Sequence, residues 1–478
     1  MLALYILLAL LLLLVLVLVV NTLRCGTKTG GGQPGALPPR EKVDHYADTL
    51  SQMIACNTVT VQPGGDMSPI YAMHQKLEEL FPLIHQKLEK HDIDGALLFK
   101  WAGKDPSRPP ILLMSHMDVV PATGDWKYPP FAGTIAEGKI WGRGAVDTKG
   151  SLCGILNAVE ELLGEDFAPA GDVYIASSCN EEISGYGAPK TVAYLKEQGV
   201  HLGLVMDEGG AVVDPPLPGI QNKFCMLGLM EKGMANLRFT ARSHGGHAST
   251  PPKNTPLARL AAMVDYVEKK EPFTKRFTPP VEGMFREMAP YMPFGYKLIF
   301  ANLWLFRPLL LKILPRASAQ AGAMLQTTCA FTMASGSDAP NVIPETAGIT
   351  ANLRYMSHEP EALAIKKARD FAAKFDCEAE VLTSSDCSGT ADINSPYYAH
   401  VCDTLHTVFP EAGGAPYVML QGSDSRHYEA ICDCVLRFAP LDISKQQLGS
   451  IHGLDENLDV EALARAVAFY RTLIETCR

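Results

Sequence analysis

Apolar and polar positions fall into two rhythms along this chain, after an opening block with no rhythm at all. Met1 to Val20 carries no charged side chain and is nearly all Leu, Val, Ile and Ala, about the 20 residues a helix needs to cross a bilayer core. From about Arg40 short apolar runs alternate with helical periods. Ile111 to Ser115, Asp172 to Ser177 and Leu202 to Met206 read as buried strands, with a helix over Leu152 to Leu163 between the first two. This alternation predicts an α/β fold, a mostly parallel sheet with helices on both faces. Ligands bind at the C-terminal ends of the strands in such sheets, and each run ends there in a polar cluster.

The second rhythm lies between two stretches of the first. Ala235 to Ala241 alternates as a strand, Leu257 to Val267 has a helical period, Thr327 to Met333 and Gly348 to Tyr355 read as strands, Pro360 to Phe375 as a helix and Glu378 to Leu382 as a strand. The order βαββαβ predicts a ferredoxin-like α+β lid domain inserted in the catalytic domain. The expected organisation is therefore an N-terminal apolar segment (1–24), a Gly/Pro-rich linker (25–40), a first catalytic part (41–228), a lid able to form a homodimer through its sheet edge (229–383) and a second catalytic part (384–478). The lid carries an insertion at about 270–326, longer than a compact unit needs. Its stretch Leu298 to Leu314 is rich in Leu, Ile, Phe and Trp, but Arg307, Pro308 and Lys312 interrupt it, which excludes a spanning helix. Packing into the lid core is the leading reading; an acyl-chain groove or a membrane-surface segment are the alternatives.

Composition narrows the partners. The 478 residues carry a formal charge of -10 without a block of lysine or arginine, which excludes nucleic acid as a partner and favours a small molecule or short peptide. Twelve cysteines are scattered with no CxxC pair, so neither a disulfide framework nor a thiolate zinc site is indicated. The N-terminal block exceeds the apolar core of a signal peptide and is followed by no small-x-small cleavage pattern. The expectation is a single N-terminal helix anchoring an extracytoplasmic catalytic domain, secreted if the segment is cleaved. Arg24 and Lys28 follow the block and run against the usual charge rule for that topology.

The polar clusters carry the candidate chemistry. In the run from Ser115 to Pro121, His116 and Asp118 are two apart on extended backbone, so the ring can face a metal while the carboxylate steers the site. A polar strand end with a satisfied histidine is the plain alternative. Asp147 stands in the glycine-rich turn Gly142 to Gly150, where a carboxylate can bridge two cations or merely cap a helix. Adjacent Glu181 and Glu182 repel one another; one can ligate a metal while the other takes a proton from metal-bound water, or both can face solvent. Asp207 offers a further hard oxygen and His452 a distant imidazole. Nitrogen and oxygen donors without cysteine suit a pair of zinc ions, with cobalt or manganese also compatible.

Six motifs in order, SHMDVVP, GRGAVDTKG, NEEISG, DEGG, SHGGHAS and HGLDEN, resemble those of the zinc metallopeptidase family of carboxypeptidase S, aminoacylase, acetylornithine deacetylase and succinyl-diaminopimelate desuccinylase, from about residue 41 onward. The segments around Ala301 to Pro308 and Gly422 to Arg426 are similar to the subgroup of carboxypeptidase S and N-fatty-acyl-amino-acid synthase/hydrolase. The resemblance implies two metal ions, one held by His116, Asp147 and Asp207 and the other by Asp147, Glu182 and His452. It implies Asp118 behind His116, Glu181 as general base and His247 as oxyanion donor from the lid. Asn341 and Arg354 resemble groups that hold a substrate carboxylate, joined by Gly422 and Ser423. Asn180 stands where the family usually has Asp. The implied activity is cleavage, or in reverse formation, of the amide bond of N-acyl amino acids with long apolar acyl groups. A carboxypeptidase S-like exopeptidase or dipeptidase is the alternative, and a non-catalytic, membrane-tethered, metal-bound binding protein is the reading from another class.

Overall fold

The computed structural model describes residues 1–28, 32–215, 220 and 222–477; positions 29–31 of the expected linker lie outside the described residues. The three anticipated core strands form, shifted by up to two residues, as Ile111–Met114, Val173–Ser177 and Leu204–Asp207. They sit at the centre of a nine-stranded sheet, with Ile111–Met114 parallel to both of the others and Leu204–Asp207 parallel to Val435–Arg437. The sheet is mixed, because Glu89–Ile93 and Ala96–Trp101 join one edge antiparallel. Toward the other edge Phe224–Glu231 pairs parallel with Gly413–Met419.

Alternation within each central strand divides two cores. Ile111 and Leu113 pack with the helices Arg40–Ala55, Lys149–Gly164, Pro396–Val408 and Val460–Thr476, while Leu112 and Met114 face the helix Gly187–Glu197 on the other side. Both faces being covered, the strands are apolar throughout, and polar residues are delivered only where the strands end.

A second sheet is entirely antiparallel, in the order Thr328–Ser335, Thr346–Tyr355, Gly233–Arg242, Glu378–Ser385. With the helices Pro256–Lys270 and Glu361–Lys374 on it, this is the βαββαβ arrangement read from the sequence. The insertion behaves differently from the leading expectation. Its helices Pro279–Met288, Phe294–Phe300, Leu303–Ala317 and Ala319–Leu325 place Met284, Phe285, Phe300 and Leu314 in a core with Phe224, Met226 and Val418 of the large sheet. The lid core is closed mainly by residues of its own two helices, and of the insertion it takes in Phe273. The helix Leu2–Arg24 leans on the insertion only at its C-terminal end, and most of its length is exposed.

Candidate metal centre

Three loops at the C-terminal ends of the central strands, the turn after Lys139–Trp141 and the loop after the helix Lys445–Ser450 bring the polar clusters together. His116 follows the strand Ile111–Met114; its Nδ1 lies 2.9 Å from the Asp118 carbonyl oxygen. That contact orients the ring and leaves Nε2 facing outward, 3.1 Å from Asp147 Oδ1 and 3.6 Å from Glu208 Oε1. Asp147 Oδ2 lies 2.9 Å from His452 Nε2, which is 3.1 Å from Glu182 Oε2. Two three-residue groups result, His116–Asp147–Glu208 and Asp147–Glu182–His452, and Asp147 is common to both.

Most of the cluster is held from behind. The buried Asp118 carboxylate accepts the backbone N–H groups of Glu181 and Glu182, at 3.1 and 3.3 Å, and the Thr60 hydroxyl at 2.7 Å. One residue thereby sets both the imidazole, through its backbone carbonyl, and the turn that presents the two glutamates, through its carboxylate. Glu456 accepts the backbone N–H groups of Val146 and Asp147 and pairs with Arg143 at 2.6 Å, and Arg143 also donates to the Gly453 carbonyl. This buried ion pair ties the Asp147 turn to the His452 loop. His452 itself has φ near +59°, a conformation that costs a non-glycine residue roughly 1–3 kcal/mol and collects at functional sites. Gly144 has φ near +89°, and a Cβ there would come within 2.9 Å of Val119, so the close turn requires glycine.

Charge is concentrated here. Burial first, then Asp424 and Glu182, push the Glu181 carboxyl well above the usual range, outweighing His116. Burial and then the charge of Asp147 do the same to Glu208. Burial would lower His116, but Glu208, Asp118 and Asp147 carry it well above its ordinary value. Hydrogen bonds to Asp147 and Glu182 raise His452 to about 10. Against its own burial, Asp147 is held below the usual carboxylate range by those two imidazoles. Carboxylates this close tolerate one another only with protons or cations between them. Glu182 Oε1 is buried without a hydrogen-bond partner among the described residues, a lone pair left over for a cation. The donor set is nitrogen and oxygen only, and it fits a pair of divalent ions.

The structure departs from expectation at Asp207. Its Oδ2 accepts the Ser425 backbone N–H at 3.0 Å, and burial raises its pKa to about 6. The carboxylate that reaches His116 belongs to Glu208. Strand parity explains this: Asp207 is the last residue of its strand and shares the side of Val205, whereas Leu204 and Met206 pack on the other face. Gly210 then lets the chain pass close beneath, since a Cβ there would meet the Met226 carbonyl. Glu181 belongs to neither metal group; its Oε2 is 3.9 Å from His116 Nε2. Asn180 accepts the Gly187 backbone N–H at 2.9 Å and takes no part in the cluster.

The lid residues stand apart from the cluster. His247 is exposed on the short strand Gly246–His247, paired with Val342–Ile343, and its Nδ1 contacts Ser249 Oγ at 2.7 Å. Asn341 is its neighbour, accepting the Ala248 N–H through its carbonyl. Arg354 lies half-buried in the strand Thr346–Tyr355; burial, and then the like charge of Arg426, push its guanidinium below the usual value. Arg426 went unnoticed in the sequence, although it closes the quoted Gly422 to Arg426 segment. Ser423 also differs from expectation: its N–H and hydroxyl both donate to the buried Glu231, at 3.1 and 2.9 Å. Glu231 needs those donors because it is fully buried beside Arg437. Gly422 lies beside the same Glu231 and Arg426 side chains. A cavity of about 1050 Å³ between the helices Pro279–Met288 and Pro396–Val408 is lined by none of the expected site residues. The chemistry lies with the converging donors, not there.

A family model described as peptidase family M20/M25/M40 matches residues 112–476. N-fatty-acyl-amino acid synthase/hydrolase PM20D1 of Bos taurus is 35% identical over 438 residues, 90% of this chain and 87% of the relative. Probable carboxypeptidase S-like 2 of Dictyostelium discoideum is 31% identical, covering 84% of this chain and 78% of the relative. Among solved structures, the M20 family metallo-carboxypeptidase Sso-CP2 from Sulfolobus solfataricus superposes with a TM-score of 0.63 over 90% of this chain and 98% of that one, at 16% identity. Human carnosine dipeptidase 1 does so with a TM-score of 0.59 over 91% and 98%, also at 16% identity; at that identity the likeness concerns the fold.

Proposed function

This chain belongs to peptidase family M20/M25/M40 and is a metal-dependent hydrolase of amide bonds in small substrates; from that premise we propose that it cleaves, and in reverse forms, N-acyl amino acids with long apolar acyl groups. The observation that carries the chemistry is the pair of donor groups sharing Asp147, with Glu181 beside them and in neither. The substrate class is supported by the 31–35% identity to synthase/hydrolases from cattle and humans over most of both chains.

His116, Asp147 and Glu208 would hold one zinc ion and Asp147, Glu182 and His452 the other. Zinc is favoured over cobalt or manganese by the mixed imidazole and carboxylate donors. Bound there, the ions supply an acidified water and a polarised carbonyl. Glu181 takes the proton of the attacking water and returns it to the leaving amine nitrogen. Its raised pKa suits a group that must both accept and donate near neutrality. Asp118 fixes the backbone on which Glu181 is mounted. His247, brought over the cluster by the lid at 229–383, donates to the developing oxyanion. Arg354, with Asn341 and Arg426, grips the free carboxylate of the substrate; two guanidiniums close enough to repel one another suit an anion.

A carboxypeptidase S-like exopeptidase is the second reading, favoured by the Dictyostelium relative. A non-catalytic binder would have no use for Glu181 poised outside both donor groups. We further propose that the helix Leu2–Arg24, whose most apolar 18-residue stretch has a mean hydropathy of 3.4, anchors the catalytic part on the extracytoplasmic side, and that the exposed edge strand Thr328–Ser335 pairs two copies into a dimer.

The test compares long-chain N-acyl amino acids with blocked and free dipeptides, with and without a chelator. Turnover of the acyl amino acids that chelation abolishes and zinc restores is the expected result; preference for free-amine dipeptides would overturn the substrate. Glu181→Gln should lower kcat by roughly 10²- to 10⁴-fold with metal content unchanged, and normal turnover in that variant would remove Glu181 from the reaction.

A further inference from the structure

The insertion presents a continuous apolar ridge to solvent. Along the helix Leu303–Ala317, Leu305, Leu309 and Ile313 are exposed at four-residue spacing, one face of a helix, while Leu310 and Leu314 turn into the core. Trp304 stands beside them, 57% exposed, and Phe294 projects from the preceding helix, which meets this one at 103°. The exposed side of the helix therefore carries a large apolar share, interspersed with the cations Lys312 and Arg316, an arrangement that stabilises nothing within the fold itself.

Charge around the ridge is one-sided. No acidic residue occurs between Glu287 and Asp338, an interval that holds Lys297, Arg307, Lys312 and Arg316. Arg307 pairs with Glu282, and Lys297 is engaged by the Gly26 carbonyl and the Thr27 hydroxyl. Lys312 and Arg316 are exposed and form no ion pair among the described residues. Apolar side chains, an interfacial tryptophan and cations without acids are the composition of a helix lying in a bilayer interface that carries anionic lipid.

The position of the ridge agrees with that occupant. Asn302, buried at the bend, accepts from the Asn21 side chain at 2.9 Å and donates to the Leu18 carbonyl at 3.1 Å. Trp304 Nε1 donates to the same Asn302 oxygen at 3.3 Å. The last turns of the apolar helix Leu2–Arg24 are thus fastened to the base of the ridge, and any bilayer that takes up that helix reaches the ridge next.

We infer that the helix Leu303–Ala317 lies flat in the interface of a bilayer bearing anionic phospholipid, as a second membrane contact beside the N-terminal helix. This surface is separate from the metal centre and independent of the substrate proposed for it. The test uses the full chain reconstituted in phosphatidylcholine vesicles with and without phosphatidylserine, reading tryptophan quenching by doxyl-labelled lipid, with Trp304→Phe identifying the Trp304 share. Trp304 should be quenched, more strongly with phosphatidylserine. Replacing Leu305, Leu309 and Ile313 together by Glu should abolish that quenching while turnover of a short, water-soluble N-acyl amino acid is unchanged. Reversing Lys312 and Arg316 to Glu should weaken the contact by about fivefold per cation removed. Absence of Trp304 quenching in both vesicle types would overturn the inference, and so would equal quenching in both. Detergent-resistant dimers lost in the Leu-to-Glu variant would do the same, because the ridge would then be covered by a second copy.

Discussion

The carboxylate cluster and the His247 turn belong to two sheets built in opposite ways. At the edge of the large sheet the charged groups are held from behind: Asp118 by Thr60, Asp147 by Glu456, the Glu181 turn by Asp118. On the two-stranded pair it forms with Val342–Ile343, His247 is exposed and its ring hydrogen-bonds only with Ser249 of its own turn among the described residues. The difference separates what must be rigid from what must travel. Charges packed within hydrogen-bond distance have to be preorganised, since each is costly alone, whereas a donor to an oxyanion is needed only when substrate is present.

Substitutions test this division, the largest effect coming from the residue shared by both donor groups. Asp147→Asn should abolish binding of both cations and lower turnover by at least about 10⁴-fold; retention of either ion, measured by elemental analysis, would break the picture of one shared bridge. Next comes the pair at the end of the strand Leu204–Asp207. Glu208→Gln should halve the bound metal, while Asp207→Asn leaves it stoichiometric and weakens affinity by roughly 10- to 100-fold, as for a group behind a ligand. The reverse ranking would restore Asp207 to the cluster. His247→Ala should lower kcat by roughly 10²- to 10³-fold without changing metal content; lost metal would mean that the two sheets are not separable. Ser423→Ala should be smallest, leaving KM unchanged and lowering unfolding stability by about 1–3 kcal/mol, because its hydroxyl serves buried Glu231. A rise in KM would place Ser423 at the substrate.

Much of this was legible in the pattern of residues. The short apolar runs marked the central strands, and each ended where ligands bind. His116, Asp147, Glu182 and His452 converge as the ordered motifs implied. Misreading began where parity had to be carried past a strand end. Asp207 and Glu208 are adjacent acids, and only knowing that the strand still includes Asp207 assigns it to the side of Val205. Arg143 and Glu456 both stand inside quoted motifs, yet nothing in spacing pairs residues 313 positions apart. The insertion escaped for another reason. Its apolar content is plain, but whether such a stretch faces the lid, the large sheet or solvent depends on which core the other elements leave open, and here the lid helices cover most of the lid core.

The Arg143–Glu456 pair also imposes an order on the birth of the molecule. The turn bearing Asp147 leaves the ribosome early, and its partners Glu456 and His452 follow only after the whole inserted sheet has been made. At about 5–20 residues per second that interval is roughly 15–60 s. Through it the nascent chain carries acids whose counterparts do not yet exist, so a chain interrupted before His452 is an incomplete chelator, and full metal loading is an event of the finished polypeptide.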